Sequence, residues 1–205
     1  MKCLFFISLL LAGNCYSQDS RVRSSRQYRD SVARVNVHAV MNGCLLVRLR
    51  TNQKKIQALV QRGDTSTANK EEKMMKLKHL EIVSAFKLNY SFSNIYFFYS
   101  HNSGRVSSGD LKGVLLDDHL LTPTDVELNE FLIVDPYFIE FVHMNSHQQG
   151  LAVLNKDLVQ LERPFPYYVR KREALFFLRR DYHTMVAILQ KNLEFAARKY
   201  GPSLK

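Results

Sequence analysis

Glycine and proline are scarce in this chain, with eight and five residues in 205. That excludes a collagen-like or low-complexity polymer. Cysteine is scarcer still, at three, which excludes a disulfide-dense scaffold. No apolar run reaches the roughly 20 residues that a bilayer-spanning helix needs, so a multi-span membrane protein is excluded too. Acidic residues are outnumbered: 19 Asp and Glu face 29 Lys and Arg, for a net charge of +10. What is present is an ordinary globular balance, 46% hydrophobic and 23% charged. The length suits one domain with a core of its own and no need of disulfide staples.

Residues 1–17, MKCLFFISLLLAGNCYS, form a secretory signal pattern. Lys2 supplies a positive start, Leu4 to Ala12 an apolar run broken only by Ser8, and Ser17 a small residue for cleavage before Gln18. The expectation is export, with a periplasmic or secreted mature chain cut near Ser17. Lipidation at Cys15 is the alternative, but Asn14 stands where a small residue would be wanted. Cleavage would remove Cys3 and Cys15 and leave Cys44 alone, so no intramolecular disulfide could form. No CxxC occurs, which argues against a dithiol oxidoreductase. Cys44, inside GCLLVRL, reads as a small buried hydrophobe.

Residues 18–34 are polar, with arginines at 21, 23, 26, 29 and 34, and read as a basic, flexible arm. Residues 35–205 read as a single α/β domain. Cys44 to Leu49 is a strand candidate, followed by a helical region from Gln53 that breaks at Gly63–Thr67. In its second part Met75, Ile82, Val83, Phe86 and Tyr90 fall on one helical face, with His79 beside them as a core or boundary residue. Ile95–Tyr99 reads as a strand buried on both faces. Strand, helix, strand makes a right-handed βαβ crossover the economical topology. Further strands are expected over Gly113–Leu116, Phe131–Val134, Gly150–Leu154, Leu158–Leu161 and, at an edge, Phe165–Val169. Asn155-Lys156-Asp157 supplies a hairpin turn. A helix over His183–Tyr200 buries Met185, Ile188, Leu189, Leu193 and Ala196 and closes at Gly201-Pro202. The fold class is α/β: one three-layer-like domain with a mixed sheet and a C-terminal helix, similar in outline to the thioredoxin arrangement.

Several segments together, GCLLVRLRTNQKKIQAL, AFKLNYSFSNIYFFYS, GLAVLNKDLVQLERPFPYYV and the closing helix, resemble a family of uncharacterised exported bacterial proteins. The resemblance covers most of residues 40–200. It implies an envelope or secreted location and one α/β domain. It carries no catalytic residue or cofactor.

No GxSxG, HExxH, Walker A or GxGxxG pattern occurs. Glu140, His143 and His147 in EFVHMNSH have spacings that would share a helical face, and imidazole with carboxylate suits zinc. The surrounding Asn, Ser and Gln favour a strand end and loop instead, so no metal or other cofactor is expected. Residues 110–140 hold eight acidic side chains, among them Asp110, Asp117, Asp118, Asp125 and Asp135, without the ligand spacing of an EF-hand. They read as a solvated, loop-rich edge, with a calcium site or a docking patch for a basic partner as the minor reading. Pro164-Phe165-Pro166-Tyr167-Tyr168 ahead of Arg170-Lys171-Arg172 mixes aromatics with positive charge, as does Phe176-Phe177-Leu178 beside Arg179-Arg180. Packing at an edge strand accounts for the first pattern better than base stacking does, so nucleic acid is not an expected partner.

The charge is not spread evenly. Residues 18–60 carry +7, 61–160 carry −4 and 161–205 carry +6. Two basic ends around an acidic middle suit surface docking better than a nucleic-acid stripe. The leading expectation is a non-catalytic exported protein that binds another envelope protein or an anionic surface. The alternatives are an enzyme with a dispersed His/Asp/Glu site, such as a hydrolase using His101, Asp117, His119 or His143, and electrostatic polyanion binding.

Overall fold

The computed structural model of the chain describes residues 25–121, 126–141, 146–172 and 179–201. The signal-like segment, Cys15, residues 18–24 of the arm, His143 and Phe176–Leu178 lie outside the described residues. Helix α1 spans Arg26–Asn42, and the Ser25 hydroxyl caps it by accepting the Tyr28 N–H at 3.1 Å. This corrects the expectation of a flexible arm, because residues 26–34 are the first half of a helix. Ala33, Val37 and Val40 form its buried stripe, while Arg26, Arg29 and Arg34 stay exposed. The dense arginines mask a short apolar stripe that begins at a small residue.

Strand β1 is Cys44–Leu49, buried throughout except at Arg48. The helical region after it is two helices, α2 over Gln53–Gln61 and α3 over Thr65–Asn89, with the break where the sequence predicts it. Gly63 takes φ +81° in the turn, and the Asp64 carboxylate caps α3 by accepting the Thr67 N–H at 3.0 Å. Strand β2, Asn94–Tyr99, then lies parallel to β1 in the register Cys44↔Asn94 to Leu49↔Tyr99. Of the expected apolar face Ile82, Val83, Phe86 and Tyr90 are buried, Met75 is only half-buried, and the Phe86 ring meets Phe97 edge-on.

A 3₁₀ turn over Ser100–Asn102 leads into the short helix α4, Ser103–Ser108. The strand expected over Gly113–Leu116 is not formed. Gly113 sits at φ +65°, and only Leu116 bridges to Phe97. Val114, Leu115 and Leu116 are buried as an irregular cover on the sheet, so their apolar character reports burial rather than pairing.

Strand β3, Phe131–Asp135, lies parallel to β1 on its other side. Strands β4 (Phe138–Phe141), β5 (Ser146–Leu154) and β6 (Tyr168–Arg170) follow, and helix α5 spans Tyr182–Tyr200. The sheet order is β2-β1-β3-β5-β4, and β6 also pairs with β5. Past the Asn155–Asp157 turn only Gln160 bridges back to Leu154, so the strand expected over Leu158–Leu161 shrinks to one pairing. Helices α1, α3 and α5 cover one face of the sheet over Leu45, Val47, Leu132, Val134, Leu151 and Val153. The other face, with Cys44, Leu46, Phe98 and Ile133, is covered by α4 and the 111–115 segment. The protein is a single α/β domain with a mixed six-stranded sheet, and α5 packs on α3. Among the described residues, no helix is long and apolar enough to cross a membrane.

One feature of the sheet positions the site. Strands β3 and β4 keep a single register against β5, from Ile133↔Leu154 through to Phe141↔Ser146, and are separated only by Pro136-Tyr137. They are two parts of one long hairpin arm. Strand β1 accompanies it only as far as Val47↔Val134. Beyond that pairing the β4–β5 arm continues past the end of β1, and Ser146–Gln149 turn from buried to solvent-facing. The corner between the end of β1 and the arm is a cleft.

Candidate functional site

The cleft has a volume of about 370 Å³, and its charged floor is Arg48, Arg50 and Asp135. Arg48 and Arg50 are two residues apart on an extended chain, so both side chains leave the same face of the sheet. Asp135 stands one step past the Val47↔Val134 pairing, beside them. A single carboxylate oxygen of Asp135 accepts from both arginines, from Arg48 Nη1 at 3.0 Å and Arg50 Nη2 at 3.1 Å. Its other oxygen accepts the Tyr137 N–H at 3.0 Å, which holds the chain after Pro136 in its bend. The Asp135 side chain is only 5% exposed, against 23% for Arg48 and 32% for Arg50. The carboxylate is thus a buried anchor, and the guanidiniums are the surface it presents.

The surroundings fix both arginines. Arg48 Nε donates to Ser103 Oγ at 3.0 Å, and that hydroxyl donates to the Ser100 carbonyl at 2.6 Å. The Arg50 backbone N–H donates to the Tyr137 hydroxyl at 3.2 Å. Its guanidinium lies over the Tyr137 and Phe138 rings, 5.1 and 4.7 Å from their centroids. Burial, the largest cause, pushes the Tyr137 hydroxyl up to about 12, so it stays a neutral acceptor and donor. Lys78 Nζ lies 4.6 Å from the Tyr137 ring centroid as well. Burial first, and then repulsion from Lys171, holds the Lys78 amine below its ordinary range. Positive charge is concentrated at this edge.

Hydrogen bonds among the described residues occupy two of the five N–H donors of Arg48 and one of those of Arg50. Arg50 Nε is buried without a partner among them. A planar guanidinium with free donors is suited to bidentate capture of an oxyanion. A more open depression of about 600 Å³ adjoins the cleft, shares both arginines, and adds Lys54 and Lys55. Lys55 is paired with Glu71 at 2.8 Å. Both hollows lie at the carboxyl ends of parallel strands, where open α/β sheets place their ligands.

The residues singled out in the sequence fall in three places. Glu140 and His147 do meet, but as cross-strand partners in the β4–β5 ladder, not on a helix face, and both line the arginine cleft. Among the described residues, no three His, Cys, Asp or Glu side chains converge to hold a metal ion. His101 and His119 line a hollow of about 630 Å³ beside Met75, His79 and Tyr99, and His101 also lines the depression that adjoins the arginine cleft. There the His101 ring stacks on Tyr99. The carboxylates nearby serve structure. Asp117 Oδ1 accepts the N–H groups of His119 and Leu121, each at 2.9 Å, and Asp118 pairs with Lys87 at 2.6 Å. Elsewhere in the acidic stretch Asp110 pairs with Arg105 at 2.7 Å, Glu130 lies 3.4 Å from His38 and Asp135 pairs with the two arginines, while Asp125 lies outside the described residues.

The aromatic and basic stretch after Pro164 is built into the fold. Phe165 is buried in the core, Tyr167 and Tyr168 pack edge-to-face, and the Arg170 guanidinium lies 4.6 Å from the Phe141 ring centroid. Arg48 and Arg50 were not legible as a site from sequence. The only local signal is a pair of arginines two apart at the end of a buried strand, and the partner that gives them meaning is 85–87 residues away. Compared with known proteins, the chain matches no family model, no curated protein and no solved structure.

Proposed function

We propose that this protein is a non-catalytic binding domain acting outside the cytoplasm, which holds an anionic group of another envelope component at the carboxyl edge of β1 and β3. The observation that carries the reading is the convergence of two guanidiniums on one buried carboxylate at the floor of the cleft. Arg48 and Arg50 converge on one oxygen of Asp135, line a solvent-accessible cleft and keep N–H donors without a partner among the described residues. The adjoining depression with Lys54 and Lys55 extends the basic surface for a larger partner. Export rests on the pattern of residues 1–17, and the basic balance of residues 18–60 suits an anionic counterpart. A hydrolase at the His101 and His119 hollow has less support, since Asp117 and Asp118 are committed to backbone N–H groups and to Lys87.

The test is co-sedimentation with anionic phosphatidylglycerol vesicles and with zwitterionic phosphatidylcholine vesicles, together with retention on immobilised acidic peptide. Wild-type protein is expected to bind the anionic partners, more weakly as salt rises. The double variant Arg48→Gln/Arg50→Gln is expected to lose at least about tenfold in affinity, as befits two charge-assisted contacts. Equal binding by wild type and double variant would place the interaction elsewhere and overturn the reading.

A further inference from the structure

The arginine cleft has a second component besides its charge. One wall is apolar, made by Phe138, Leu154 and Leu158. Phe138 is 43% exposed, with the Arg50 guanidinium against its ring, so apolar surface and positive charge adjoin in the lining of the cleft. Leu158 takes φ +62° because it closes the turn begun at Asn155, whose carbonyl accepts its N–H at 3.0 Å, and the turn sets its side chain in the lining. The wall is also braced. The Gln160 side chain acts like a strand residue on Glu140, accepting its N–H at 2.9 Å and donating to its carbonyl at 3.0 Å.

Charge stoichiometry narrows the ligand. Two guanidiniums against one buried carboxylate leave one net positive charge at the floor. Glu140 adds a negative charge in the lining of the same cleft. With Glu140 counted the charged lining is balanced, two guanidiniums against two carboxylates, so each further negative charge on a ligand counts against it and a monoanion is favoured over a dianion. The volume lies within the usual range for small-molecule pockets, roughly 300–1,000 Å³.

From these observations we infer that the cleft is a small-molecule site for a monocarboxylate on an apolar body. Its carboxylate sits on Arg48 and Arg50, and its hydrocarbon lies along Phe138, Leu154 and Leu158. The inference rests on the reading of this edge as anion-binding and adds the ligand class to it. The ligand's oxygens take terminal guanidinium N–H groups of Arg48 and Arg50 that have no partner among the described residues.

The experiment is calorimetric titration of the full chain with octanoate below its micellar concentration, alongside acetate, octan-1-ol and inorganic phosphate. Octanoate is expected to bind at one site, and acetate and octanol each at least about tenfold more weakly, because each lacks half of the recognition. Arg50→Gln is expected to abolish octanoate binding. Phe138→Ala, an exposed position that leaves the core intact, should weaken it several-fold, and Glu140→Gln should tighten it by removing a like charge. Octanoate binding no tighter than acetate, or indifferent to Phe138→Ala, overturns the inference. If phosphate still binds through Arg48 and Arg50 in that case, the broader anion reading stands. If no anion's binding responds to Arg50→Gln, both fail.

Discussion

The Nε2 atom of His79 lies 2.7 Å from the backbone carbonyl oxygen of Arg50, tying the middle of α3 to the residue that leads out of β1. A carbonyl can only accept, so Nε2 carries the proton. Burial lowers the pKa of this imidazole most, the bond to Arg50 offsets part of that, and Lys78 lowers it further. The ring is therefore kept neutral in the folded protein.

A depressed histidine pKa makes stability depend on pH in one direction. The unfolded chain binds the proton more readily, so the His79 contribution is complete above the ordinary value of 6.5 and is lost as pH falls through the lower folded value. The thermal midpoint of the wild-type protein should fall more steeply between about pH 7 and pH 5 than that of His79→Gln, whose amide can donate the same bond. Parallel profiles for the two proteins would contradict this.

Asp135 holds two arginines with one oxygen while its other oxygen secures Tyr137. Asp135→Asn keeps the size and the acceptor but leaves two like charges side by side. The expected loss is about 2–3 kcal/mol, at or below the low end for breaking a buried pair because both arginines retain some contact with water. Chemical denaturation measures it. The double variant Asp135→Asn/Arg50→Gln should be less destabilised than the sum of the single changes, since it removes one of the stranded charges.

Gly150 lies where β5 passes from the exposed arm into the core. A methyl group there would run into the Ile139 side chain and the Val169 carbonyl. Gly150→Ala should cost about 1–3 kcal/mol as an overpacked site whose obstacle includes backbone. The urea midpoint should drop with an unchanged m-value, because the folded and unfolded ensembles keep their compactness.

Cys44 is fully buried, and burial pushes its thiol up to about 12. The thiolate is the reactive form. Iodoacetamide should therefore leave the Cys44 peptide unmodified in the native protein and label it in urea, as mass mapping will show. Labelling under native conditions at the rate of a free thiol would contradict the packing.

Elements with one dominant local signal were legible in the sequence. The apolar run of Cys44–Leu49, broken only at Arg48, the periodic face of α3 and the stripe of α5 each require nothing distant to be recognised. The break at Gly63-Asp64 is legible because a glycine at positive φ and an N-cap aspartate stand together. Elements whose character comes from partners were not. Strand β4 has an exposed Phe138, a buried Ile139 and an exposed Glu140, and this short alternation is masked by the polar residues that follow. The acidic stretch concealed Asp135 among residues of the same charge, although it is the member that holds both arginines. Glu140 and His147 were noticed for metal chemistry, and their true relation is a cross-strand pair. The cleft itself comes from a register, in which β1 stops while the β3–β4 and β5 arm continues. No local pattern encodes that.

The central claim is that Arg48 and Arg50, anchored by Asp135, receive an anion. The most direct measurement is the ¹H–¹⁵N spectrum of the arginine side-chain Nε–H groups as octanoate, and separately phosphate, is added. The account predicts that the Arg50 Nε–H resonance shifts first and saturates with the ligand, with Arg48 moving alongside it. Arg48 and Arg50 resonances that stay fixed while Arg170, Arg179 or Arg180 respond would contradict it.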